Sequence, residues 1–131
     1  MDKIRWCIEQ KKGISLVEPN ERTASEYIKE AETDLGDLGK SSLKWKNIVG
    51  YYACYNALYA VLQKTGLKSE IHDCTIALMD TLGLGKHKGF MSSLKKNRID
   101  VQYYLQKPEP VDEKKVTDFV LECRNLLNNI T

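Results

Sequence analysis

The chain has 131 residues, of which 42% are hydrophobic and 29% charged, with a net charge of +2; this predicts one globular domain over residues 1–131 with a core at about 21–130. No apolar run approaches the roughly 18–20 residues that span a bilayer, and the N-terminus lacks the apolar segment of a signal peptide, so we expect a cytoplasmic protein with no membrane partner. So small a net charge does not by itself indicate nucleic-acid binding.

Two helices are predicted before residue 40. The first covers about residues 2–12 and stops at Gly13. The second spans about 21–38, and either Asn20 or a capping box at Thr23 begins it. Apolar residues at three-four spacing predict the buried positions, which are Ile4, Cys7 and Ile8 in the first helix and Ala24, Tyr27, Ile28, Ala31, Leu35 and Leu38 in the second.

The third predicted helix, at about 44–65, is the most apolar part of the chain. Eleven of the twelve residues from 51 to 62 are apolar or aromatic, and Asn56 is the exception. A helix that is apolar on all sides must be covered on all sides, so we expect this one at the centre of the fold. Gly66 suits the position just after its end.

Three more helices are predicted at about 69–82, at about 88–105 and from Asp112 onward. Their expected buried positions are Ile71, Cys74 or Thr75, Leu78 and Leu82 in the fourth helix, Phe90, Met91, Leu94, Val101 and Leu105 in the fifth, and Val116, Phe119, Val120, Cys123, Leu126, Leu127 and Ile130 in the last. No segment sustains the two-residue alternation of a strand, so no sheet is predicted. The expected fold class is all-α, an up-and-down bundle of four main helices plus one or two short ones.

The four cysteines, Cys7, Cys54, Cys74 and Cys123, are far apart and include no Cys-x-x-Cys pair. With only two histidines in the chain, this spacing does not supply the closely set ligands of a zinc site. We expect four buried free thiols, because disulfides are rare in a reducing compartment. No metal or other cofactor is predicted.

Charge is distributed unevenly along the chain. Residues 21–37 carry six acidic and two basic side chains, which gives a local charge of −4. Residues 81–99 carry no acid and five bases, which are Lys86, Lys88, Lys95, Lys96 and Arg98. The sequence therefore predicts an electropositive end that attracts phosphate groups.

Two polar residues stand at predicted buried positions. Arg98 lies between Leu94 and Val101 on the apolar stripe of the fifth helix. It either extends to solvent, forms an ion pair with Asp100 or another carboxylate, or binds the phosphate of RNA or a nucleotide. Asn56 either pairs across the bundle or faces a pocket or a dimer interface.

Most of the aromatic residues lie on the third and fifth predicted helices. The tyrosines there are Tyr51, Tyr52, Tyr55, Tyr59, Tyr103 and Tyr104. Such rings either fill the core or, beside a basic segment, stack on bases. His72 and His87 are isolated in sequence, and no nucleophile–base pair can be argued from them.

The central segment resembles the core of HEPN domains, most closely that of the small stand-alone prokaryotic ones. Residues 51–62, followed by Gly66 and His72, are similar to the tyrosine–alanine core of that family. Residues 27–32 fit the first family helix, and residues 94–98 fit the helix that carries the signature arginine. The resemblance implies a helical bundle, usually a homodimer, that cleaves RNA, binds a nucleotide or pairs with a minimal nucleotidyltransferase as antitoxin.

The chain departs from the family's nuclease motif, in which four to six residues separate an arginine from a histidine. Arg98 matches the arginine, but Tyr103 holds the nearest position equivalent to the histidine. A phenol has an ordinary pKa near 10, against roughly 6.5 for imidazole, and is a poor general base near neutral pH. His72 and His87 lie outside the motif and do not replace it.

The sequence therefore predicts a HEPN-like module that binds a nucleotide, RNA or a minimal nucleotidyltransferase partner without efficient catalysis. The expected binding residues are Arg98, Lys95, Lys96, Tyr104, Asn56 and Tyr52. One alternative is a metal-independent ribonuclease or toxin that uses Arg98 and Tyr103. Another is a pure protein-interaction subunit of a toxin–antitoxin-like pair. A homodimer is also expected.

Overall fold

The computed structural model describes residues 2–129, and Met1, Ile130 and Thr131 lie outside this range. Its elements are α1 (Lys3–Glu9), β1 (Ser15–Leu16), α2 (Glu21–Leu38), α3 (Leu43–Thr65), β2 (Leu67–Lys68), α4 (His72–Ala77), α5 (Lys88–Tyr104) and α6 (Glu113–Asn129). The all-α prediction is confirmed, with four long helices and two short ones in the described part of the chain. Within it, no helix has the length and apolar character needed to cross a membrane.

Helix α3 lies at the centre of the fold, as its composition predicts. It packs against α2, α5 and α6, and Ala53, Ala57 and Ala60 on it are fully buried. Gly66 follows α3 in the left-handed conformation, with φ of 82°. Glycine adopts this conformation without the steric cost of a Cβ atom, which is why the helix ends there.

Helix α2 runs antiparallel to α3 and covers one of its sides. Asn20 caps α2 by accepting the N–H of the residue three positions later (2.9 Å), so the capping box is not used. Lys64, near the end of α3, pairs with Glu21 at the start of α2 (2.9 Å). Further along, Asn56 donates a hydrogen bond to Asp34 (3.0 Å).

Helix α6 follows its predicted pattern. Asp112 caps it by accepting the N–H of Lys115 (3.1 Å). Five of its predicted positions are buried, namely Val116, Phe119, Val120, Cys123 and Leu127, and Leu126 is half-buried. Ile130 lies outside the described residues. The core also includes Cys7 and Ile14, ahead of the predicted core start near residue 21.

The prediction that the chain has no sheet is wrong. Strands β1 and β2 pair in antiparallel register as a two-stranded sheet. The left-handed turn at Gly66 brings the chain back beside the segment after α1, where Val17 donates its N–H to the Gly66 carbonyl (2.8 Å). Strands of two residues are too short to produce a visible alternation in the sequence.

The prediction of four free thiols is also wrong. A disulfide joins Cys7 in α1 to Cys74 in α4, and both residues are fully buried. Cys54 and Cys123 are free, and burial raises the pKa of both thiols. The pairing depends on how α1 packs against α4, which the spacing of cysteines does not reveal. Disulfides persist mainly in oxidising compartments, so this bond weighs against the predicted cytoplasmic setting.

Three local predictions fail at the ends of helices. Ile8, expected inside, is 60% exposed because the short α1 turns only one side towards the protein. Helix α4 ends at Ala77 rather than near 82, since Met79 donates to the carbonyl three residues back and the chain tightens into turns. Leu105, expected on the buried stripe of α5, is exposed because it ends that helix in a left-handed conformation.

Candidate functional site around Arg98

Arg98 lies on the inner face of α5 with only 6% of its surface exposed. Its Nη1 donates to the hydroxyl of Tyr52 on α3 (3.1 Å) and to Oε1 of Gln102, one turn further along α5 (3.2 Å). Its Nε is also buried and has no hydrogen-bond partner among residues 2–129. Buried hydrogen-bond donors nearly always have an acceptor, so a buried Nε–H without one is unusual.

No carboxylate lies within ion-pair distance of Arg98 in the described part of the chain. Asp100, the expected partner, pairs with Lys96 instead (2.7 Å). The interpretations of Arg98 as a solvent-extended or ion-paired side chain are therefore wrong. A buried charge without a counter-charge is destabilising, and an anion bound here would reduce that penalty.

Three tyrosine rings surround the guanidinium. Its Cζ lies 4.9 Å from the ring centroid of Tyr51, 5.3 Å from that of Tyr52 and 5.8 Å from that of Tyr103. These distances are within the range of cation–π interactions. Tyr51 is fully buried, whereas Tyr103 is 65% exposed. Tyr103 is therefore the most exposed of the three rings around the guanidinium.

A hydrogen bond between Tyr51 and His72 adds His72 to the site. The Tyr51 hydroxyl lies 2.7 Å from Nδ1 of His72, whose ring stacks on Tyr55 with centroids 4.2 Å apart. Burial raises the pKa of Tyr51, so the phenol keeps its proton, and the tautomer of His72 decides which of the two groups donates. Burial, and then the charges of Arg98 and Lys95, lower the pKa of His72. His72 is therefore neutral at pH 7.

The predicted electropositive segment is largely neutralised. Four of its five bases form ion pairs with carboxylates, namely Lys86 with Glu122, Lys88 with Asp80, Lys95 with Asp73 and Lys96 with Asp100. The prediction of a broad basic end is corrected accordingly, because acids outside the segment fold against it. The one base of the five without a carboxylate partner among the described residues is Arg98.

The other predicted binding residues lie apart from Arg98. Lys96 and Tyr104 line a groove of about 350 Å³ beside the C-terminal half of α5. Asn56 donates to Asp34 and lines a second cleft of about 290 Å³ between α2, α3 and the segment before α4. The structure thus brings together three of the predicted site residues, Arg98, Tyr52 and Tyr103.

Sequence reasoning missed Tyr51, His72 and Gln102 as members of the site. Gln102 could have been found, because it lies one helical turn after Arg98. Tyr51 was assigned only to the core or to stacking in general. His72 gave no signal, because its position beside Tyr51 depends on where β2 and the disulfide place the start of α4.

Comparison with protein-family models, curated proteins and solved structures finds no significant match to this chain. Among residues 2–129, no three His, Cys, Asp or Glu side chains lie close enough together to hold a metal ion. Function must therefore be inferred from the geometry around Arg98 itself.

Proposed function

We propose that this chain is a HEPN-like module that binds the phosphate of a nucleotide or of single-stranded RNA at Arg98. The observation that carries the proposal is a buried guanidinium with an unpaired Nε and no carboxylate partner among the described residues. A phosphate would supply the missing negative charge and accept from the guanidinium fork. Tyr103, exposed and in contact with that group, is placed to stack on a base.

The HEPN-like part of the proposal rests on the sequence resemblance and on the arrangement of the helices. A long, largely buried central helix carries the tyrosine–alanine segment, and three other long helices pack around it. The arginine that fits the family's signature position points from α5 towards this central helix and reaches its Tyr52. Of these features the resemblance implies the helical bundle, whereas the contact of Arg98 with Tyr52 is an observation of this structure.

The same geometry favours binding without efficient cleavage. Metal-free RNA cleavage relies on a general base whose lone pair is free near neutral pH. Tyr103 offers a phenol where the nuclease motif has an imidazole. His72 is close by, but its Nδ1 is already hydrogen-bonded to the Tyr51 hydroxyl.

A titration of a short fluorescent single-stranded RNA, at low and high salt, tests this proposal. We expect Arg98→Gln to weaken binding by about tenfold, since a charge-assisted hydrogen bond contributes roughly 1.5–3 kcal/mol. Arg124→Gln is the matched control, because Arg124 is exposed and pairs with Glu32. Equal affinity of the wild type and Arg98→Gln contradicts the proposal. RNA cleavage that is lost in both Arg98→Gln and Tyr103→Phe would favour the ribonuclease alternative instead.

A second candidate function is protein binding at the end of α5. Tyr103, Tyr104 and Leu105 are consecutive, large and exposed. Clustered apolar surface of this kind marks interfaces, and a second copy or a minimal nucleotidyltransferase would cover it. Light scattering should show a dimer that Leu105→Lys disrupts. A monomer that also fails to bind a nucleotidyltransferase encoded beside it would count against this function.

A further inference from the structure

The cleft between α2, α3 and the segment before α4 is lined mainly by aromatic rings. Its volume is about 290 Å³, at the small end of ligand-binding sites. The side chains that define it are Tyr27, Tyr52, Tyr55, Tyr59, Glu70 and His72. No lysine or arginine is among the residues that line it.

The rings form the walls of a corner. Tyr27 and Tyr59 lie with their centroids 4.9 Å apart at an interplanar angle of 61°, so one ring stands steeply against the other. Tyr55 continues the wall along α3, 6.1 Å from Tyr59 and nearly parallel to it. The face of an aromatic ring carries negative charge density, so such a corner attracts cations and tolerates alkyl groups.

The charged side chain in the lining of the cleft is the carboxylate of Glu70. Glu70 forms no ion pair with any described residue, and Asp34 lies directly behind Asn56 in the lining. One wall belongs to α2, whose residues 21–37 have a local charge of −4. Glu70 lines the same cleft as Tyr59, and burial, then Tyr27 and Glu70, raise the pKa of Tyr59. With His72 neutral, Glu70 gives the lining itself a negative charge, and Arg98 lies outside the lining with its Nη1 on the hydroxyl of Tyr52.

We infer that this tyrosine-lined cleft binds a small organic cation with an alkylated ammonium group. The rings bind the alkyl groups and the positive charge together, while Glu70 supplies a counter-charge. The lining carries a carboxylate, whereas the site at Arg98 carries a guanidinium, so the two sites favour ligands of opposite charge. The inference does not require a phosphate at Arg98, and Tyr52 and His72 belong to both sites.

Titration by NMR with choline and with its neutral isostere 3,3-dimethylbutan-1-ol tests the inference. The two compounds have the same shape, so only charge distinguishes them. We expect choline to shift the resonances of residues 55–59 saturably and to bind about tenfold more tightly than the isostere. Equal affinity of the two compounds, or no saturable shift with choline, overturns the inference. Binding of adenosine but not of choline also overturns it and indicates a nucleobase site.

Two variants and two controls locate the binding. Tyr59→Leu removes the ring but keeps an apolar side chain, and Glu70→Gln removes the charge of an exposed residue. Each should weaken choline binding several-fold. Tyr104→Leu, at an exposed tyrosine outside the cleft, and Arg124→Gln, at an arginine outside the cleft that pairs with Glu32, should leave it unchanged. Loss of choline binding in either control, or its retention in both cleft variants, contradicts the assignment.

Discussion

At the scale of single residues, Arg98 connects stability with function. Its charge is buried without a carboxylate partner in the described part of the chain, and its Nε is unsatisfied. Replacing buried charged groups by apolar ones of similar size is often stabilising. We therefore expect Arg98→Met to raise the free energy of unfolding by about 1 kcal/mol, measured by urea denaturation. A fall of similar size would mean that the aromatic contacts outweigh the penalty of burial.

A second prediction at the scale of single residues concerns Asp34 and the pH dependence of stability. Burial raises its pKa to about 6, from 3.8 in the unfolded chain, against the lowering effect of the Asn56 hydrogen bond. The folded state therefore binds more protons between these values, and the contribution of Asp34 to stability is present below pH 4 and lost as the pH rises through 6.

Asp34→Asn should remove this pH dependence, because the amide oxygen still accepts from Asn56. Since Asp34 is partly exposed and screened by solvent, we expect a gain of only about 1 kcal/mol at pH 7.5 and none at pH 4. Thermal unfolding at the two pH values measures it. A gain of equal size at both would show that charge is not the cause.

At the scale of elements, two glycines with positive φ form a matched pair. A Cβ at Gly66 would lie 2.6 Å from the Val17 carbonyl oxygen, whereas a Cβ at Gly83 would meet nothing within 4 Å. Both backbones are left-handed, with φ of 82° and 77°. Gly83→Ala should therefore lose about 1 kcal/mol of stability, and Gly66→Ala about 2–3 kcal/mol because the β1–β2 contact must also shift. Equal losses of stability would mean that the β1 segment can move away from the added Cβ atom without a free-energy penalty.

The disulfide makes a prediction about α1 and α4. It closes a loop whose ends are 67 residues apart, and such a cross-link contributes about 2–4 kcal/mol by restricting the unfolded chain. A dithiol reductant should therefore lower the melting temperature of the wild type. The double variant Cys7→Ser with Cys74→Ser should melt at the lower temperature with or without reductant. A wild type that is insensitive to reductant would show that the bond does not form.

Local patterns predicted the long helices well, because caps, glycine stops and three-four spacing act within a few residues. Helices α2 and α6 begin after the predicted caps Asn20 and Asp112, and α3 ends before the predicted stop at Gly66. The β1–β2 pairing, the disulfide and the place of His72 could not be predicted, since each joins segments more than 20 residues apart. Arg98 was singled out by its stripe position, but that it has no carboxylate partner depends on which acids fold against α5.

At the scale of the whole molecule, the structure has two candidate binding sites, each with aromatic side chains and a charged group. The acidic α2 forms a wall of the tyrosine-lined cleft, while Arg98 holds an uncompensated positive charge between α3 and α5. The HEPN-like proposal depends on the site at Arg98. Most other bases of α5 are already paired, so phosphate binding should depend on one arginine rather than on a broad basic surface.

The arginine Nε–H resonances of ¹⁵N-labelled protein test this claim most directly, with adenosine monophosphate as the probe. The Nε of Arg98 is unpaired among the described residues, so a bound phosphate would give it an acceptor. We predict a large, saturable shift of the Arg98 Nε–H signal, with the Arg124 signal unmoved. An Arg98 signal that stays in place, or arginine signals that all move together without saturation, would contradict an anion site at Arg98.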